Sequence, residues 1–175
     1  MTEQSEARII AGRYEEVRTL GQGGMGVVRL CYDPTEQRPV ALKTFLPQYL
    51  SNHTIRDRFL HEGTTWMHLG AHPHIVRAYG VEHVGDGREV YLVLEWVAEG
   101  EGLPDASLRA LLASRGPLPV EQALRYALHI VWGMRHAQSL VPGLVHHDPK
   151  PDNVLVGRDG LARVGDFGRS ETCLP

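Results

Sequence analysis

The 175-residue sequence predicts an α+β chain in two parts, mainly β to about Leu94 and mainly helical after Glu95. Three observations predict it. Short β-type runs punctuated by Gly and Asp-Pro turns fill the first half, one helical stretch interrupts them, and long helical periodicity takes over in the second half. The division is a leader over 1–11, a first lobe over 12–94 and a second over 95–175.

The elements follow in order. Val17–Leu20 and Val27–Tyr32 flank a glycine cluster and read as two strands joined by a tight turn. Val40-Ala41-Leu42-Lys43 is a third short strand after the Asp33-Pro34 turn. Thr54–Leu69 is helical, with Ile55, Phe59, Trp66 and Leu69 at three- and four-residue steps, and His72-Pro73-His74 breaks it. Ile75–Glu82 and Glu89–Glu95 are two more strands, which makes a unit of five strands and one helix. Ala106–Ser114 is a short helix closed by Gly116-Pro117. Val120–Leu140 carries the strongest helical signal, and Ala123, Leu124, Ala127, Leu128, Val131 and Met134 are the residues its periodicity would bury. Val154–Val156 and Ala162–Val164 are short strands split by the Gly157–Gly160 turn.

Composition narrows the function classes. Hydrophobic residues make up 42% of the chain, enough for a core. With 18 basic and 21 acidic residues the net charge is -3, which argues against a nucleic-acid or anionic-membrane surface. Two cysteines, Cys31 and Cys173, are no disulfide framework and fit reduced thiols. No run approaches the ~18 apolar residues of a membrane helix. The polar, acidic start from Met1 to Arg8 is wrong for a secretory signal. A cytoplasmic protein is expected.

Four segments carry chemistry. Gly21-Gln22-Gly23-Gly24-Met25-Gly26-Val27-Val28 offers backbone amides that can approach a polyphosphate closely. The bland alternative is a Gly-rich hairpin. A strand, not a helix, follows the glycines, so the dinucleotide-binding fingerprint does not apply. Lys43 sits beside apolar Val40, Ala41 and Leu42, so it projects from a buried strand and needs anionic partners. Glu62 on the following helix can supply one, although alone it would read as a surface charge. His146-His147-Asp148-Pro149-Lys150-Pro151-Asp152-Asn153 packs two carboxylates, a Lys and an Asn into a loop that its prolines keep out of a helix. Asp148 can accept a hydroxyl proton, Lys150 can steady a transferring phosphate, and Asn153 can hold a hard cation. Asp166-Phe167-Gly168 then follows a two-strand hairpin. His61, His68, His72 and His74 cluster in sequence, but no thiolate or regular ligand spacing supports a zinc site.

Taken in order, these motifs resemble the eukaryotic-like Ser/Thr protein kinases, most closely their bacterial, Hanks-type branch, from about Gly12 to Arg169. The resemblance implies a two-lobe kinase fold with a five-stranded antiparallel first lobe, Mg-ATP as cofactor and protein Ser/Thr hydroxyls as substrate. It implies that Leu20, Gly21, Gly23, Gly24, Gly26 and Val28 cover ATP. It pairs Lys43 with the phosphates and with Glu62. Val28, Ala41 and Leu155 contact the adenine, and Leu94, Glu95 and Val97 form the hinge. Asp148 is the base, and Asn153 and Asp166 are the Mg²⁺ ligands. Trp66, Ala78, His146 and Phe167 align with the family's apolar stack. Lys150 favours protein substrates over small molecules. Two departures stand out. His147 replaces the Arg that grips an activation-segment phosphate, so switching by phosphorylation there is not expected. Only Arg169–Pro175 follow the Asp-Phe-Gly motif, which reads as a truncated second lobe. An uncovered apolar face on Val120–Leu140 and self-association through it are therefore expected, and a weak or inactive ATP-binding module is the alternative to an active kinase.

Overall fold

A computed structural model of the chain describes residues 8–23, 26–85, 87, 89–167 and 171–172. These residues form two compact units. One contains the chain up to Leu60 together with Tyr79–Trp96, and the other contains His61–Ala78 together with the chain from Val97.

The first unit is a six-stranded sheet. Its strands are β1 (Ile9–Ile10), β2 (Tyr14–Gln22), β3 (Gly26–Asp33), β4 (Arg38–Phe45), β5 (Ala78–Val84) and β6 (Glu89–Glu95), in the order β1-β2-β3-β4-β6-β5. Five strands were expected. The sixth, β1, comes from the segment read as leader, where Ile9 and Ile10 pair with Glu15 and Tyr14 across a turn that uses left-handed φ at Ala11 and Gly12. β2 has irregular register on either side of Val17 and Leu20, so neither pairs in step with β3.

Strand alternation gives the sheet two faces. Cys31, Val40, Leu42, Tyr91 and Val93 join Ile10 and Tyr14 in one buried cluster. The alternate positions, Val28, Leu30, Ala41, Lys43, Leu92 and Leu94, line up on the other face through the pairs Val28↔Lys43, Leu30↔Ala41, Ala41↔Leu94 and Lys43↔Leu92. The β3–β4 turn is held by Asp33, whose Oδ1 accepts from the N–H groups of Thr35 and Glu36. Its two carboxylate oxygens also take Nε and Nη2 of Arg13 at 2.8 and 2.6 Å. Burial alone would raise the Asp33 carboxyl, but Arg13 and the two turn amides hold it below the usual carboxylate range.

Helix α1 (His53–His68) follows β4, with Phe59 edge-on to Phe45 at 5.5 Å. Gly70, at φ +62°, follows the helix end and lets the chain turn into the His72–Val76 segment.

The second unit is built on α2 (Leu108–Arg115), α3 (Val120–Leu140) and the hairpin β8 (Val154–Val156) with β9 (Ala162–Val164). β7 (Leu144–Val145) precedes the hairpin and pairs with β10 (Glu171–Thr172). Ser107 caps α2 by accepting from Ala110 N–H, and Gly116, at φ +74°, ends it. Leu111, Tyr126, Val154, Val156 and Ala162 form the core.

The expected burial face of α3 is corrected. Its buried residues are Tyr126, His129, Gly133 and Ala137, whereas Val120, Leu124, Leu128, Val131 and Trp132 are exposed, Val120 at 76% and Leu124 at 61%. The reason is backbone proximity. A Cβ on Gly133 would stand 2.5 Å from the carbonyl oxygen of His74, so glycine at this one point of the buried face lets α3 come this close to the His72–Val76 segment.

Candidate active site

The loop between β7 and β8 gathers most of the second unit's predicted site residues. Pro149 and Pro151 keep it non-helical apart from one 3-10 turn, Pro151–Asn153, closed by Asn153 N–H to the Lys150 carbonyl at 2.9 Å. Lys150 Nζ donates to Asp148 Oδ2 at 2.7 Å. Asn153 is buried, and its Nδ2 donates to the Asp148 carbonyl at 2.9 Å and to Asp148 Oδ2 at 3.3 Å. One carboxylate oxygen is thus held by a cation and an amide, which fixes the rotation of the Asp148 side chain. With Nδ2 turned to Asp148, the Asn153 side chain presents its carbonyl end elsewhere, and an amide oxygen is a type of atom that can hold a hard cation.

A residue that the sequence reading did not single out ties this loop to Asp166. Gly165 N–H donates to the Asn153 carbonyl at 2.8 Å, and the Gly165 carbonyl takes Nε2 of buried His146 at 2.9 Å. Both peptide groups of Gly165 are engaged, and a Cβ there would meet Val76 Cγ2 at 3.2 Å. The neighbouring backbone is strained at two non-glycine positions, His147 (φ +59°) and Asp166 (φ +54°). Left-handed outliers flanking a polar loop are a frequent signature of functional sites.

Behind the loop, Phe167 is sandwiched between Trp66 at 5.5 Å and His146 at 4.9 Å, and Trp66 Nε1 donates to the Val76 carbonyl at 2.7 Å. These three members of the expected apolar stack meet. Ala78 is buried as well. Outside the loop, Arg109 of α2 pairs with Asp152 at 2.6 Å and holds that carboxyl below its usual range. An exposed Arg on a short helix gives no sequence signal for such a role.

The remaining predicted residues divide between the units. In the first, Gly21 pairs with Val28, and Lys43 is half-buried on the same face as Val28, Ala41 and Leu94. The glycines differ in what the fold asks of them. A Cβ on Gly26 would lie 2.7 Å from the Thr44 carbonyl, so β4 demands glycine there. At Gly21 and Gly23 a Cβ would meet nothing within 4 Å, so the fold itself does not demand glycine at either place. Leu20 lies at the second β2 irregularity, and Glu95 closes β6 opposite Val40. In the second unit are Glu62 on α1, buried Val97 and half-buried Leu155 on β8. Gly24, Met25, Gly168 and Cys173 lie outside the described residues.

Within the second unit, a carboxylate braced by a Lys two residues on and by an amide, with a second Asp tied to that amide residue through backbone, is an arrangement suited to phosphoryl transfer. The chain belongs to the protein kinase family: residues 14–174 match the protein kinase domain. Among similar proteins are the serine/threonine-protein kinase PrkC of Bacillus subtilis, 35% identical over 91% of this chain and 23% of its own length, and PknD of Mycobacterium tuberculosis, 34% identical over 90% and 22%. CBL-interacting protein kinase 32 of rice, Oryza sativa subsp. japonica, is 32% identical over 91% of this chain and 34% of its own length. The chain thus spans about a third or less of these relatives. Proteins of this family generally use ATP and Mg²⁺. No helix among the described residues is long and apolar enough to cross a membrane.

Proposed function

We propose that this chain carries the nucleotide-binding and catalytic-loop machinery of a protein serine/threonine kinase, which transfers the γ-phosphoryl group of Mg-ATP to a protein hydroxyl. The observation that carries this reading is Asp148, oriented by Lys150 and Asn153 and linked through Gly165 to Asp166. Asp148 accepts the proton of the attacking hydroxyl. Lys150, beside it, offsets negative charge on the transferring group. The oxygens of Asn153 and Asp166 suit Mg²⁺, which when bound neutralises phosphate charge. Lys43 takes the α/β-phosphates, and Glu62 is assigned as its partner by the family resemblance alone. Leu20, Gly21, Gly23, Gly24, Gly26 and Val28 cover the nucleotide. Ala41, Leu94, Glu95, Val97 and Leu155 take the adenine. The glycines at Gly21 and Gly23, which the fold does not itself require, support close approach of a polyphosphate to backbone N–H groups. His147, short and not permanently charged, argues for activity that does not depend on activation-segment phosphorylation. A cytoplasmic location accords with the buried free thiol of Cys31, which burial pushes up to about 11.

The exposed apolar residues of α3 favour a second reading. Val120, Leu124, Leu128, Val131 and Trp132 are exposed. The alternative is a nucleotide-binding module without transfer activity, and association with a second copy through that surface is a separate expectation. Light scattering on the purified chain should then show a dimer or larger species, and a well-behaved monomer contradicts the association. To separate the two readings, the chain is incubated with γ-labelled Mg-ATP and a generic basic protein, and bound nucleotide and protein-bound label are both counted. Label on protein supports the kinase. Bound nucleotide without transfer supports the module, and neither signal refutes both.

A further inference from the structure

Four imidazoles in the second unit form a continuous run across two elements. His136 of α3 stacks on His72 at 4.5 Å and 17°, His72 meets His74 edge-on at 5.6 Å, and His74 stacks on His129 of α3 at 4.1 Å and 17°. Trp132 closes the side of the run, 5.5 Å from His74 and 5.9 Å from His129. This run is the contact between the His72–Val76 segment and α3, at the place where Gly133 lets the backbones approach.

The hydrogen bonds assign a tautomer to each ring. His74 N–H donates to Nδ1 of His72 at 3.2 Å, and Ala162 N–H donates to Nδ1 of His129 at 3.2 Å, so these two nitrogens carry no proton. His74 Nδ1 faces the Ala162 carbonyl at 3.1 Å, and His136 Nε2 faces the Leu69 carbonyl at 2.9 Å, so these two are donors. The stacked pair His74 and His129 therefore grips both polar groups of one fully buried residue of β9, one ring as donor and the other as acceptor. The donor rings keep those bonds when charged. The acceptor rings do not: a proton on Nδ1 of His72 or His129 points one N–H at another and places a cation against a stacked imidazole.

We propose that this run is an acid-released clasp on β9, with His72 and His129 as the proton-sensing members. His72 is faced by His136 and His74. His129 is faced by His74, by Arg125 and Tyr126 on its own helix, and by Asp159 of the β8–β9 turn, which among the described residues favours its charged form. Burial first and the neighbouring imidazoles second hold both rings below the usual histidine value, with Arg125 adding to the effect at His129. The sign follows. Unfolded or opened chains bind protons on these rings that the closed clasp refuses, so closure is complete above about pH 6.5 and is lost as pH falls through that value toward the lower closed-state values.

The consequence reaches the candidate site through β9. Val164 N–H donates to the His74 carbonyl and Val76 N–H to the Val164 carbonyl, both at 2.9 Å, and Gly165 and Asp166 follow directly. Opening the clasp loosens the strand that leads into Asp166. The clasp itself does not depend on the nucleotide chemistry proposed above.

Amide exchange of Ala162 and Val164 tests this between pH 7.5 and 5.5, after correction for the intrinsic pH dependence of exchange. The expected result is an opening equilibrium that rises with acidity by up to one proton per acceptor ring. A His72→Asn/His129→Asn double variant keeps an acceptor oxygen near each Nδ1 position and cannot titrate, so its opening should be flat over the same range. Opening in the wild type that does not change with pH overturns the proposal, as does a variant that keeps the full acid dependence. If the variant does not fold, ring-proton titration of the wild type decides. Midpoints for His72 and His129 below that of the urea-unfolded chain support the clasp, and midpoints at or above it overturn it.

Discussion

Replacing Gly133 with Ala should destabilise the protein, although the same change in an exposed helix would stabilise it. Gly133 lies inside α3, where Ala is favoured over Gly by about 1 kcal/mol. Against that gain stands the geometry. The new Cβ would lie 2.5 Å from the His74 carbonyl oxygen and 3.2 Å from its carbon, so helix and segment must part by about half an ångström at least. The His74 carbonyl cannot simply tilt away, because it accepts the Val164 N–H at 2.9 Å and so holds β9. Overpacking against backbone costs about 1–3 kcal/mol, so the net expectation is a loss of up to about 2 kcal/mol. For a chain of this size that is a drop of up to several degrees in Tm, at roughly 2–4 °C per kcal/mol. Urea and thermal unfolding followed by circular dichroism read it directly. A G133A variant more stable than wild type would refute the claim that the close approach of α3 to His74 selects glycine.

Other consequences are as specific. Asp33→Ala removes the acceptor for Arg13 and for two turn amides at a 2% exposed position, and should cost about 2 kcal/mol. Because the folded Asp33 carboxyl lies below its ordinary value, its contribution is present above about pH 3.9 and lost as pH falls below that, so the variant should lose this part of the acid transition seen in thermal melts. The glycines of the first unit should separate by role. Gly26→Ala should lower stability by about 1–3 kcal/mol, because its Cβ meets the Thr44 carbonyl. Gly21→Ala should leave stability within about 0.5 kcal/mol and weaken ATP binding. ATP binding by calorimetry that is unchanged in Gly21→Ala would reduce the segment to a hairpin.

How much of this was legible in the sequence depends on what each residue answers to. The elements themselves were well marked: α3 spans Val120–Leu140, and β8 and β9 fall where the apolar triplets and the Gly157–Gly160 turn put them. The site was legible where chemistry sits in a short loop, since Asp148, Lys150 and Asn153 hold one another within a few residues. What could not be read was long-range. Periodicity could not show the backbone approach of α3 to His74, whereas the apolar face it did show is exposed, as the uncovered face expected on Val120–Leu140 would be. Gly165 looked like an ordinary residue before Asp166 until its two peptide bonds to Asn153 and His146 were seen. The histidines invited a metal reading because sequence shows their number and not their tautomers. In the fold, His72 and His74 bond to backbone groups and stack on rings of α3.

The central claim is that Asp148, held by Lys150 and Asn153, is the group that serves phosphoryl transfer. Asp148→Asn preserves the size of the side chain and removes its basicity, so initial rates of γ-phosphoryl transfer and ATP affinity, measured together on wild type and variant, test it most directly. Transfer should fall by about 10²–10⁴-fold in Asp148→Asn while ATP affinity changes little. Transfer that stays near the wild-type rate in Asp148→Asn would contradict it.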